Sequence, residues 1–385
     1  MKLSSDSRLR LIAKLGALAL FLSTLEYLIP KPVPFMRLGL ANVPVMLSLA
    51  LLKPSGYALL VLLKIVGQAL VTGTLFSYVF LFSLGGSVAA AVVMFVLYRL
   101  LGRQVSFLGI SMAGALASNG VQLLLAGALL FGPSVRLLAP PFLIMGLVSS
   151  ILLGLFTRRF AQASSWFRDA AGDSCREGAT PPIAGSEERP KTDLRLITGL
   201  AVLPAFLLQP SLAGTFILAG AALGAAVSAG RKIRLLPILL VLLSVVFANL
   251  LQANGLVLFS LGSFSVTAGA LQIGIKKACT LIGMIYLSQF MVSTRPRLPG
   301  FFGRLVSLQL YYFEGITEKW RGLKDGGLLS RLDALLYRLD EEPAGARSDA
   351  VTRASRQTTA GRGLMVSYAV LAWGLLIPGF LGMIP

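Results

Sequence analysis

Apolar and polar positions divide this chain into two sets of hydrophobic runs around one polar stretch. The front set has six runs, at about 9–29, 38–52, 56–75, 79–98, 107–131 and 137–157. Most approach the roughly 20 apolar residues that a membrane-spanning helix requires. The second is short for a core of about 30 Å and is expected to be tilted or broken. Residues 158–193 are polar, carry both charge signs and contain Gly and Pro, the composition of a flexible linker. The rear set resumes at 194–209, 212–228, 235–252 and 265–291. From Phe301 to Leu339 charged and apolar residues alternate, and Leu328, Leu332, Leu335, Leu336 and Leu339 fall on one helical face. Gly326–Gly327 separates two such amphipathic helices, a polar stretch covers about 340–362, and a last span runs from Leu364 to Ile384. The amphipathic pair either lies flat in the headgroup layer or packs on a soluble partner. Its mixture of acids and bases favours the partner.

Composition sharpens this into a class. Mean hydropathy is +0.80, and 56% of residues are hydrophobic against 13% charged, as in polytopic membrane proteins. The expected fold is all-α: a six-helix bundle (1–160), a linker (161–193), and a helical rear domain (194–385) carrying the amphipathic helices. The net charge of +19 would suggest nucleic acid in a soluble protein. Here the cations sit between apolar runs and no basic patch is interleaved with aromatics, so they set topology and meet anionic lipid. Starting inside, the inner loops hold nine cations, Lys2, Arg8, Arg10, Lys14, Lys53, Arg99, Arg103, Arg158 and Arg159. The outer loops hold three, Lys31, Arg37 and Arg136. That bias predicts a cell (cytoplasmic) membrane protein whose N-terminus, linker and amphipathic helices are cytoplasmic. The first apolar run has no small-x-small cleavage pattern and continues through Leu28–Ile29, which points to a retained span.

Within that frame, Ser23–Pro44 (STLEYLIPKPVPFMRLGLANVP) stands out, because a carboxylate, two cations, an amide and four prolines interrupt apolar sequence there. Proline-broken backbone at membrane depth is tolerated only where protein or a watery cavity covers it. This stretch is read as the lip of a cavity, with an ordinary outer loop as the alternative. Polar groups inside spans are the best site candidates because leaving them in lipid is expensive. Lys64, Gln68 and Thr72 share one face of the third span. The ammonium should face a cavity or a carboxylate, and Glu26 is the nearest by depth. Ser111, Ala115, Ser118, Asn119 and Gln122 line one stripe of the fifth span, as ligand contacts or as helix–helix glue. Lys276 and Lys277 are a second buried pair, unless their span starts later. Ala13-x-x-x-Ala17 in the first span would admit a close helix neighbour.

Several chemistries are excluded. There is no GxxxxGK[ST] loop, no adjacent aspartate pair to hold a magnesium diphosphate, and no histidine. Cys175 and Cys279 are too few for a disulfide framework or a zinc site. No catalytic residues, metal site or cofactor are expected of this chain alone.

Three ordered motifs carry a resemblance over about residues 10–160: LEYLIPKPVPFMRLGLANVPVMLSL, GTLFSYVFLFSLGG (Gly73–Gly86) and GISMAGALASNGVQLLLAGALL (Gly109–Leu130). They resemble the Gx transporter family, also catalogued as heptaprenyl diphosphate synthase component I. That family is similar to the six-span substrate-binding (S) components of energy-coupling factor transporters. Carried over by position, the motifs point to Glu26, Pro30, Pro32, Gly39, Asn42, Gly73, Thr74, Gly85, Gly86, Asn119 and Gln122. The fifth span departs from the pattern, with Ser118 where the family is expected to have histidine. The rear half resembles a degenerate transmembrane (T) component, by its order of spans, then Val292–Trp320, a second amphipathic helix and a final span. That family docks ATPases through two Ala-Arg-Gly triplets, which Trp320-Arg321-Gly322 and Ala346-Arg347-Ser348 only approximate. Arg304, Arg321, Gly322, Arg331 and Arg347 are the coupling residues so implied.

The sequence therefore suggests a fused binding and coupling component of an importer, working with separate ATPase subunits. Its ligand would be anionic or zwitterionic and held by Glu26, Asn42, Lys64, Gln68, Asn119 and Gln122. The alternative is a non-catalytic membrane subunit assisting the catalytic subunit of a polyprenyl diphosphate synthase. A passive scaffold is a third reading, which leaves the intramembrane lysine without a use.

Overall fold

The structure, a computed structural model, describes residues 5–28, 38–172, 194–231, 233, 235–252, 254–261, 264–292, 300–322, 327–341 and 359–380. The front half forms α1 (Ser5–Leu28), α2 (Asn42–Leu51), α3 (Pro54–Thr72), α4 (Tyr78–Leu101), α5 (Phe107–Ala126) and α6 (Val135–Ala163), then a short α7 (Ser165–Ala171). Among the described residues, four stretches are long and apolar enough to cross a membrane: Pro54–Thr72, Tyr78–Leu101, Phe107–Ala163 (α5 and α6 with the turn between them) and Ala268–Met291. Outward leucines such as Leu116, Leu124 and Leu152 are well exposed, as a lipid-facing surface requires.

The second expected span needs correcting. Helix α2 has ten residues, about 15 Å of rise, and cannot cross a 30 Å core alone. Val43 to Leu49 are all buried, so α2 is a core element enclosed by its neighbours. Helices α4, α5 and α6 pack antiparallel through small residues. Gly85 and Gly86 of α4 face Val121, Leu125 and Gln122, and Gly146 and Gly154 of α6 face Asn119 and Leu108.

The rear half comprises α8 (Leu194–Leu208), α9 (Leu212–Ser228), α10 (Leu235–Leu250), α11 (Ala268–Met291), α12 (Gly300–Gly322), α13 (Leu328–Glu341) and α14 (Thr359–Phe380). Where helices alone were expected, a two-stranded antiparallel hairpin, β1 (Val257–Leu261) and β2 (Phe264–Thr267), joins α10 to α11. Lys276 and Lys277 lie in the third turn of α11, which begins at Ala268. They part company: Lys276 donates to the Pro210 carbonyl, while Lys277 donates to the Leu130 carbonyl (2.9 Å) and to Asn249 Oδ1 (3.3 Å). These charges solvate carbonyl groups rather than each other.

The two halves are in direct contact. The Phe76 N–H donates to Ser288 Oγ (3.0 Å), while Leu130 accepts from Lys277. Residues 76 and 130 belong to one end of the front bundle, just past α3 and α5. Lys277 and Ser288 are about 16 Å apart along α11 at 1.5 Å per residue. The segments just past α3 and α5 thus meet α11 at two separate points along its length.

The amphipathic helices turn inward. Leu332, Leu335, Leu336 and Leu339 of α13 are buried, and only Leu328 of that stripe is exposed. Their apolar face is covered by the chain itself, not held open for a soluble partner. Asp333 accepts from Ser164 Oγ and from the N–H groups of Ser165 (3.3 Å) and Trp166 (3.1 Å), which caps α7 and ties it to α13. Helix α12 crosses α1 and α3. Lys14, counted above with the loop cations, is buried in α1 with its ammonium 5.5 Å from the Tyr312 ring, and Trp320 meets Phe21 edge to face.

Candidate functional site

Helix α1 brings Glu26, 5% exposed, against the backbone of residues 38–40. Its carboxylate accepts three consecutive backbone N–H groups, from Leu38 (2.8 Å), Gly39 (3.1 Å) and Leu40 (3.0 Å). Gly39 has φ +91°, a region that favours glycine, and this bend lets the three N–H groups converge on one anion. The charge-assisted bonds hold the start of α2 in place.

That placement sets Asn42 over α3. Lys64, 4% exposed, donates to Asn42 Oδ1. A buried ammonium requires such polar company. Glu26, Asn42, Lys64 and Gln68 line one chamber, whose far wall is Asn119 of α5 with Gly146 of α6 beneath it. A Cβ at Gly146 would fall 1.8 Å from Asn119 Nδ2, so the glycine is what admits the amide. The cavity holds about 40 Å³. At roughly 10–15 Å³ per water, that accommodates about three waters. As it stands the chamber is lined equally by polar and apolar surface and is far too small for a prenyl chain.

Five of the six expected ligand residues thus converge. Gln122 does not: one turn beyond Asn119, it is 1% exposed and lies against Gly86, with Nε2 on Ser118 Oγ (3.2 Å) and Oε1 without a partner. It belongs to the α4–α5 contact. Glu26 serves the backbone of 38–40, and Lys64 is held by Asn42. Pro30, Pro32 and Arg347 lie outside the described residues. Gly73 closes α3 at φ +67°, and Thr74 beside it shares a hydrogen bond with Thr72 (2.8 Å). Of the expected coupling residues, Arg304, Arg321 and Gly322 are exposed, whereas Arg331 stacks 4.4 Å from the Trp320 ring. Sequence reasoning missed Ser87, Ser149 and Ser150 of the chamber wall. The small-residue spacing Gly146–Ser149–Ser150–Gly154 in the sixth span was the available signal.

Fold and site together define a helical membrane protein with a small chamber inside its front bundle. Residues 15–160, the whole of that chamber, match the family model of heptaprenyl diphosphate synthase component I. Residues 191–294 match a domain of unknown function (DUF8519), which ends before the amphipathic helices. No curated protein and no solved structure matches the chain.

Proposed function

We propose that the chain is a non-catalytic membrane subunit whose front bundle binds a small polar molecule and works within a larger assembly. The observation that carries this reading is the chamber itself: a buried Glu26, Lys64 and Asn119 around space inside the front bundle. Helix–helix glue would leave no such space. The family match makes the catalytic subunit of a heptaprenyl diphosphate synthase the first partner to seek. On that reading the chamber takes a small regulatory or polar ligand, since 40 Å³ excludes an isoprenoid tail.

A second reading, a fused importer component driven by separate ATPases, is favoured by one observation. Helix α3 carries Lys64 into the chamber and, one turn on, Gly67 beneath Gln309 of α12. Movement of α12 would therefore reach the chamber through a single helix.

Thermal unfolding of purified protein against carboxylates, phosphate esters, amino acids and short prenyl diphosphates tests the shared claim. Wild type should be stabilised by at least one polar compound, and Lys64→Ala and Asn119→Ala should both lose that response. Identical profiles in all three proteins would remove the site. Co-purification then separates the partners: a prenyl synthase supports the first reading, a pair of ATPases the second.

A further inference from the structure

The hairpin between α10 and α11 presents an uncovered apolar strand. Leu256 is 82% exposed, and Val257, Leu258 and Phe259 are each 60% exposed, so both faces of β1 are uncovered. An isolated two-stranded hairpin is marginal in water and needs something against an apolar face. Three further observations say what that is. Between Arg234 and Lys276 the sequence has no charged residue. The exposed apolar surface continues from Leu239, Leu243 and Phe247 of α10 into Leu256. The height is also right: Arg231 Nη2 donates to the Val292 carbonyl (3.2 Å), which puts the start of α10 and the end of α11 at one level. Sixteen residues of α10 then rise about 24 Å, close to the thickness of a hydrocarbon core, before the hairpin begins.

We infer that the hairpin is an interfacial anchor. Leu256, Val257, Leu258 and Phe259 enter the headgroup–acyl boundary of the leaflet opposite Arg231. The open strand edges exclude a deeper position, because unpaired backbone is not tolerated in hydrocarbon. They also exclude an aqueous one, because four neighbouring large apolar side chains would stand in water. Lipid of either charge suffices, since nothing on the hairpin selects a headgroup.

The test uses the full chain in phosphatidylethanolamine–phosphatidylglycerol vesicles, with Cys175→Ser and Cys279→Ala and a single new cysteine at Leu258 or Phe259 bearing an environment-sensitive fluorophore. Both side chains are largely exposed, each variant is first checked for wild-type helicity by circular dichroism, and the two positions report opposite faces. The same fluorophore coupled to free cysteine in buffer is the control outside lipid. With an expected depth of about 5–10 Å, a quencher near the acyl carbonyl should reduce emission at least about twofold more than one at the acyl terminus. Iodide quenching should stay below that of the control. Emission and iodide quenching equal to the control would overturn the anchor. Disulfide-linked dimers through Leu258→Cys would also overturn it, by making a second copy the occupant.

Discussion

Gln309 is the least comfortable residue in the described structure. It is fully buried on α12, wedged between Gly16 of α1 and Gly67 of α3, and neither Nε2 nor Oε1 has a hydrogen-bond partner. A buried polar group left unpaired costs about 1–3 kcal/mol, whereas an apolar group of the same shape is near neutral or stabilising. Methionine matches glutamine in length and can follow the same notch. Gln309→Met should therefore stabilise the protein by about 2 kcal/mol, or roughly 4 °C in melting temperature. The notch makes the opposite prediction for its walls. A Cβ at Gly67 would sit 2.8 Å from Oε1 and one at Gly16 3.0 Å from Nε2. Gly67→Ala should thus lower stability by about 1–3 kcal/mol through overpacking, and combining it with Gln309→Ala should recover most of the loss. The assay is thermal unfolding of detergent-purified variants followed by intrinsic fluorescence. A Gln309→Met protein that melts below wild type would refute the reasoning, since it would mean that the amide is satisfied where it sits.

Two further substitutions probe the connections that shape the bundle. Glu26→Gln leaves three N–H groups facing a neutral amide, and with charge-assisted bonds about twice as strong as neutral ones the expected loss is about 2–4 kcal/mol. A melting temperature within about 1 °C of wild type would contradict the convergence of residues 38–40 on that carboxylate. Asp333→Ala leaves the Ser164 cap of Phe167 but removes the carboxylate that accepts from the Ser165 and Trp166 N–H groups, worth about 0.5–2 kcal/mol. Amide exchange should then rise in α7 and α13 together while α3 to α5 stay protected, and unchanged exchange in α7 would argue against the tie.

What could be read in advance follows from how local its cause is. Apolar run length is local, and the expected run 212–228 and helix α9 coincide. The polar groups drawn into one chamber were legible for the same reason, since buried Glu, Lys and amide residues have few places to go in a lipid-facing bundle. That the second run is short for a span was legible, but its start at Asn42 was not, because the apolar letters begin at Leu38, in the backbone that Glu26 gathers at 38–40. Gln122 shared the helical stripe of Asn119, but a stripe cannot say where a cavity ends; Gly86 decides that. The leucine stripe of α13 was visible, whereas its partner was not: periodicity states that a face is covered, not by what. Likewise 257–267 reads as one more apolar turn between spans, and its strand pairing depends on where α10 and α11 bring its ends.

Everything functional here rests on the chamber holding a molecule. Native mass spectrometry of protein extracted gently from its own membranes tests this most directly, comparing wild type with the Lys64→Ala, Asn119→Ala double variant. The account predicts one small species of defined mass on wild type and its loss from the folded variant. The same bound species on both proteins, or none on either, would contradict it.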